Sequence, residues 1–181
     1  MQQLRANQRP VPGPCPADVV TPPRILREDI PINARDSTGV ALLDEMLGVW
    51  FSWYDEDGGA PDWSRFRPFD RPSLLPHIIL LEQIGDRYRC AIIGEEAVRG
   101  MCIKLGGRFL DDAMPPENLA NILTRFDKTL AMGLPNFVEK TKPWHPGQDL
   151  MTYRGLQLPF GDRHGDKPRI LCVMNFTSER V

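Results

Sequence analysis

Two short apolar runs, His77–Ile84 and Tyr88–Ile93, flank Gly85-Asp86-Arg87, and no other stretch constrains the fold as much. Ile, Leu, Tyr and Cys dominate the runs, and a Gly-Asp pair sits where the chain must reverse. That combination predicts a β-hairpin. The residues just before it, Asp70-Arg71-Pro72-Ser73-Leu74-Leu75-Pro76, form a Pro-bounded turn that aims the chain into the first strand. Everything after Gly94 reads as a second half that covers this sheet and completes it.

That second half opens with a short helix, Glu95–Met101, whose acids sit at its positive end. Gly106-Gly107 marks a turn, and Phe109–Met114 reads as another short helical piece. Pro115-Pro116-Glu117 then starts a long helix. Its stripe is Leu119, Ile122, Leu123, Phe126 and Leu130, and Gly133 stops it. Three strands follow: Leu134–Lys142, Leu150–Phe160 and Arg169–Phe176. The last, RILCVMNF, is apolar on both faces, so it belongs in the middle of the sheet.

Ahead of the hairpin, residues 1–36 carry Pro10, Pro12, Pro14, Pro16, Pro22, Pro23 and Pro31. Proline at that density removes backbone donors and fixes φ, which predicts an extended or disordered arm. Residues 37–60 hold an amphipathic helix with polar cap candidates at Asp36, Ser37 and Thr38. Leu43, Met46, Leu47, Trp50, Trp53 and Tyr54 make one apolar stripe along it. A stripe this aromatic must bury against the outer face of a sheet or against a partner's matching helix. The second alternative assigns these six residues to a homodimer interface. Residues 61–181 form the main domain, and Trp63–Phe69 (WSRFRPF) anchors the connector to it.

Charge narrows the function. The 181 residues include 22 basic and 24 acidic side chains, for a net charge of −2. Binding to nucleic acid or to an anionic membrane calls for a basic excess that is missing. No apolar run reaches the roughly 18 residues of a membrane-spanning helix. The N-terminus lacks the apolar core of a signal peptide. The four cysteines, Cys15, Cys90, Cys102 and Cys172, have no ligand spacing and read as reduced thiols, which fits a cytoplasmic location.

The order of elements is helix, hairpin, short helices, long helix and three antiparallel strands. The phrases RPSLLPHIILLEQIGDRYRCAIIGEEAVRGM, GRFLDDAM and YRGLQLPFGDRHGDKPRILCVMNF occur along it. Together they resemble the small stand-alone PAS proteins common in alphaproteobacteria. In that subfamily a D-P-x-x-L-P turn precedes the first strand, and a Y-R-x-x-G strand end leads into the small helices. An L-P-L-x-x-x-x-G pattern closes the last hairpin. The counterparts are Asp70 to Pro76 with Arg71 inserted, Tyr88 to Gly94, and Leu156 to Phe160, where Phe160 departs from the pattern. The resemblance spans about residues 40–177. It implies an α+β fold: a PAS-like five-stranded antiparallel sheet with helices on one face, plus the N-terminal helix and the proline-rich arm. It also implies sensing or scaffolding rather than catalysis, with a homodimer and a signalling partner such as a kinase or another regulator.

Candidate ligand-binding residues are Ile92, Met101, Phe126, Leu130, Tyr153, Leu156 and Met174, with Cys90 and Cys172 beside them. Tyr153, Arg154, Gln157 and Asn175 are the polar groups available to orient a small apolar or amphipathic ligand. Met, Cys and aromatic side chains suit an adaptable apolar cavity. A solid core is the alternative, and it would make the chain a pure interaction module. No cofactor motif or metal-ligand spacing is evident. His77 reads as a satisfied polar residue in preference to a haem ligand. The paired acids Glu95-Glu96 and Asp111-Asp112 diverge on a helix, so they read as capping and solvated groups. A competing class is a small α+β enzyme using His145 or His164 with Asp149 or Asp162.

Overall fold

The computed structural model describes residues 24–101, 103–143, 150–161 and 167–179. The elements are β1 (Arg24–Pro31), α1 (Ala41–Asp57), β2 (Ile78–Ile84), β3 (Arg87–Ile93), α2 (Glu95–Met101), α3 (Pro116–Met132), β4 (Asn136–Pro143), β5 (Leu150–Phe160) and β6 (Arg169–Glu179). All strands pair antiparallel in one sheet of order β1-β4-β5-β6-β2-β3. β2 and β3 form the expected hairpin. α2 and α3 then carry the chain across the sheet, so that β4, β5 and β6 return as a meander with β6 against β2. The last strand is therefore central. Leu171 and Val173 face one side, and Ile170, Cys172 and Met174 face the other, which is why this strand is apolar throughout.

The five expected strands are β2 to β6, and the sheet has one more. β1 lies within the segment expected to be an extended or disordered arm, and pairs along β4 from Arg24↔Thr141 to Pro31↔Asn136. Its register is irregular between Ile25 and Arg27 and between Arg27 and Ile30. An edge position tolerates both the irregularity and the terminal proline, because one side of the strand needs no ladder partner. Residues 1–23 of the expected arm lie outside the described residues.

The α1 stripe is the main correction to the sequence reading. Leu43, Met46, Leu47 and Trp50 are buried within the chain, packed with Phe137, Leu156, Leu158, Phe160, Leu171 and Val173 on one face of the sheet. Trp53 and Tyr54 pack against the same cluster. The stripe assigned to a homodimer interface is thus covered by the chain's own sheet. Trp50 fixes the docking: its Nε1–H donates to the Pro159 carbonyl at 2.9 Å. Pro159 lies beyond Gln157, the last β5 residue paired with β4, so its missing N–H removes no bond from that ladder.

α1 also starts later than its cap candidates suggest. Val40 occupies the cap position without a side-chain bond. Instead, Asp44 in the first turn reaches back, accepting from the Ser37 hydroxyl at 2.6 Å, the Thr38 amide at 2.7 Å and the Thr38 hydroxyl at 2.6 Å. Burial raises the Asp44 pKa, but these hydrogen bonds outweigh it and hold the carboxyl below its ordinary value. Gly58 and Gly133, both left-handed, close α1 and α3.

Two of the phrases behind the family resemblance meet in space. A Cβ on Gly94 would stand 2.1 Å from the Leu75 carbonyl oxygen and 2.4 Å from the Pro76 carbonyl carbon. The turn before β2 thus packs backbone against backbone on the end of β3. The Gly94 amide also donates to the Ile78 carbonyl at 2.8 Å. Only glycine permits this approach.

Candidate functional site

On the face opposite α1, helices α2 and α3 do not fill the space above the sheet. A cavity of about 410 Å³ remains, within the range of small-molecule sites. Strand pairing sets its floor. Tyr153 and Phe176 lie in one row across β5 and β6, and Gln157, Cys172 and Ile79 lie in another across β5, β6 and β2. Met174 and Val138 flank Gly155 between these rows. Met101 comes from α2, and Ile103, Leu105, Leu110 and Met114 from the linker to α3. The roof is α3, through Asn118, Asn121, Ile122, Arg125 and Phe126.

Of the seven ligand-binding candidates, Met101, Phe126, Tyr153 and Met174 line this cavity, as do the accompanying Cys172 and Gln157. Leu156 does not. It is fully buried in the α1 cluster, because strand side chains alternate and Leu156 cannot share a face with Tyr153. Arg154, likewise on the other face, donates to Glu139 at 2.6 Å, and its strand partner Asn175 follows it.

Ile92 points away for a different reason. Leu80 pairs with Ile92 and Leu81 with Cys90, so the register skips Ala91. This bulge reverses the face of Ile92 relative to Cys90 and leaves it 40% exposed. Leu130 packs on the edge of the cavity-side cluster without lining the cavity, and Cys90 is buried there.

The cavity has a polar side that the sequence reading missed in part. Asn118, Asn121 and Arg125 recur at i, i+3 and i+7 on α3, which puts them on one face of the helix. Thr129, one turn beyond Arg125, donates to the Arg125 carbonyl at 2.9 Å and approaches the Gln157 side-chain oxygen at 3.5 Å. This seam faces β5, whereas Phe126 faces β3 and packs at a tilt against Tyr88, with ring centroids 5.5 Å apart. Asn118 and Asn121 are exposed at the mouth, Lys140 and Tyr153 are half-buried, and Arg125 is buried with only 6% exposure. Two asparagines inside a helix, where their propensity is poor, were the available signal for this seam.

Electrostatics on this face follow from burial. Burial pushes the Cys90 thiol up to about 11. It pushes Cys172 up to about 12, with the Arg125 charge pulling the other way. Both thiols are free and protonated at neutral pH. Burial, reinforced by a 2.6 Å hydrogen bond to Asp127, raises the Tyr88 hydroxyl well above its usual value and ties β3 to α3.

The remaining candidates are placed elsewhere. His77 Nδ1 lies 3.1 Å from the Met174 carbonyl, at a strand start. Glu95 and Glu96 pair with Arg99, while Asp111 and Asp112 pair with Arg87, both at 2.8 Å. Among the described residues, no group of three or more His, Cys, Asp or Glu side chains could hold a metal ion. His145, Asp149, Asp162 and His164 lie outside the described residues. Among the described residues, no helix is long and apolar enough to cross a membrane. Comparison with protein-family models and with curated proteins finds no match.

Proposed function

We propose that the chain is a PAS-type sensory or adaptor domain. It takes a small apolar or amphipathic ligand between its sheet and α3, and hands occupancy to a protein partner without catalysis. The cavity is the observation that carries this reading. A packed interior leaves few voids larger than a water molecule, whereas about 410 Å³ accommodates a small ligand. That difference favours a ligand site over an interaction module with a filled core. The strand arrangement supports the PAS assignment. Within β2 to β6, the first strand lies beside the last, and α2 and α3 cross between the hairpin and the meander.

Signal transfer follows from the roof. α3 is held at one side by the Tyr88–Asp127 hydrogen bond and by Phe126. Its polar seam meets a cavity instead of a packed floor. A ligand that contacts α3 favours one arrangement of helix on sheet, and a partner reads that population. With the α1 stripe inside the chain, a homodimer or a kinase-like regulator must use other surfaces. Phe69, 89% exposed, is the most accessible large apolar group described.

Hydrogen–deuterium exchange tests this. The protein as purified is compared with the same protein unfolded, desalted and refolded. The reading predicts slower exchange in α3 for the protein as purified, with α1 unchanged. Identical exchange in α3 contradicts it.

A further inference from the structure

Gln157 lines the cavity from β5 and is only 4% exposed. A buried carboxamide carries donors and an acceptor that need partners. Its Oε1 is approached by Thr129 Oγ1 at 3.5 Å and by Asn136 Nδ2 at 3.4 Å, both near the outer limit of a hydrogen bond. Thr129 has one hydroxyl hydrogen, and the Arg125 carbonyl takes it at 2.9 Å. Among the described residues, Gln157 Nε2 meets no acceptor. Nor is that nitrogen sealed off: the buried atoms without a partner include Asn136 Oδ1 but not Gln157 Nε2. It opens on the cavity, where Cys172 is its register partner on β6.

The rest of the wall narrows what that amide can meet. Ile79, Ile122, Phe126 and Met174 are apolar. Arg125 and Lys140 are already engaged within the protein, so a charged ligand competes with the partners they have. An ion set beside a neutral amide loses its hydration without gaining a counter-charge, whereas a neutral ligand with one polar atom loses far less. The loose hold on Gln157 selects that atom. Turned end for end, the amide offers Oε1 in place of Nε2 and gives up only two long contacts. A hydroxyl donates and accepts, so it bonds either orientation, while a ketone or an ether only accepts.

We propose that the ligand of this cavity is a neutral, mainly apolar molecule with a hydroxyl group. The hydroxyl bonds the Gln157 carboxamide, and the hydrocarbon lies over Ile79, Ile122 and Met174. This rests on the reading of the cavity as a ligand site and deepens it.

Calorimetric titration of the full chain, freed of any retained small molecule, tests this. The probes are 1-octanol, 1-chlorooctane and octanoate, and the proteins are the wild type and Gln157→Met, which keeps an unbranched side chain of similar length. The wild type is expected to bind octanol more tightly than chlorooctane and octanoate least. Loss of one neutral hydrogen bond should weaken octanol by about threefold to tenfold in Gln157→Met. Chlorooctane fills similar space without a hydroxyl and should bind both proteins alike. Should Gln157→Met fold poorly, the wild-type ranking of the three probes carries the test. Octanol binding unchanged in Gln157→Met, or an equal loss for chlorooctane, overturns the assignment to Gln157. Octanoate binding as tightly as octanol overturns the neutral class. Each of these results leaves the cavity as a ligand site, whereas no binding by any probe overturns both.

Discussion

Replacing Trp50 should damage folding, not association. The indole is fully buried between α1 and the sheet, with Phe51 and Tyr54 rings 5.1 and 5.2 Å away. Its N–H is the donor that satisfies the Pro159 carbonyl. Trp50→Phe keeps a ring but orphans that carbonyl, which costs about 1–3 kcal/mol. Trp50→Ala also opens a cavity in the α1 cluster, so the loss should lie within the usual range of about 3–5 kcal/mol. With a urea dependence of about 2 kcal/mol per molar, a loss of about 4 kcal/mol lowers the unfolding midpoint by about 2 M. Circular dichroism during urea unfolding reads this without relying on tryptophan emission. The expected order is wild type, then Phe, then Ala. Unchanged midpoints, with sedimentation showing a dimer broken into monomers, would refute the placement of α1 on its own sheet.

Two further substitutions probe other joints. Gly94→Ala forces a methyl into the Leu75 and Pro76 backbone, and overpacking of that kind costs about 1–3 kcal/mol or more; a thermal midpoint within a degree of wild type would contradict the contact. Glu82 accepts from Arg89 at 2.7 Å and Arg169 at 3.4 Å, and the Arg89 hydrogen bond leads in holding its carboxyl below the ordinary 4.5. A depressed folded-state pKa contributes stability that is present above the unfolded value and lost as pH falls through the folded one. Glu82→Gln should therefore cost about 1 kcal/mol at pH 7, and the difference should shrink as the pH drops below 4.5. A difference that persists at pH 2.5 would show that the stabilisation does not depend on the carboxylate charge.

Much of this fold is legible in the residues because glycine and proline punctuate it. The β2–β3 turn, the start of α3 at Pro116 and both helix ends follow from local sterics. What failed depends on neighbours. Pro31 and the prolines before it argued against a strand, yet an edge beside β4 accepts β1. The α1 stripe showed that something covers it, but periodicity does not say whose surface that is. Ile92 was misplaced by a bulge, a one-residue slip with no signature in RYRCAII. Leu156 was different, since strand alternation alone forbids it from joining Tyr153. Arg125 stayed hidden because an arginine on a helix usually reads as solvated, and only the fold brings it over Cys172 and Gln157.

The central claim is that the space under α3 exists to hold a small molecule. Non-denaturing mass spectrometry of the wild type and of Ile122→Trp, both as purified, tests it directly, because a tryptophan at that wall position is bulkier than the isoleucine and intrudes on the cavity from α3, on the sheet face opposite α1. The account predicts a wild-type mass above that of the chain alone, returning to the bare mass on denaturation, and a variant that carries nothing. Equal retention by both proteins, or none by either, would contradict it.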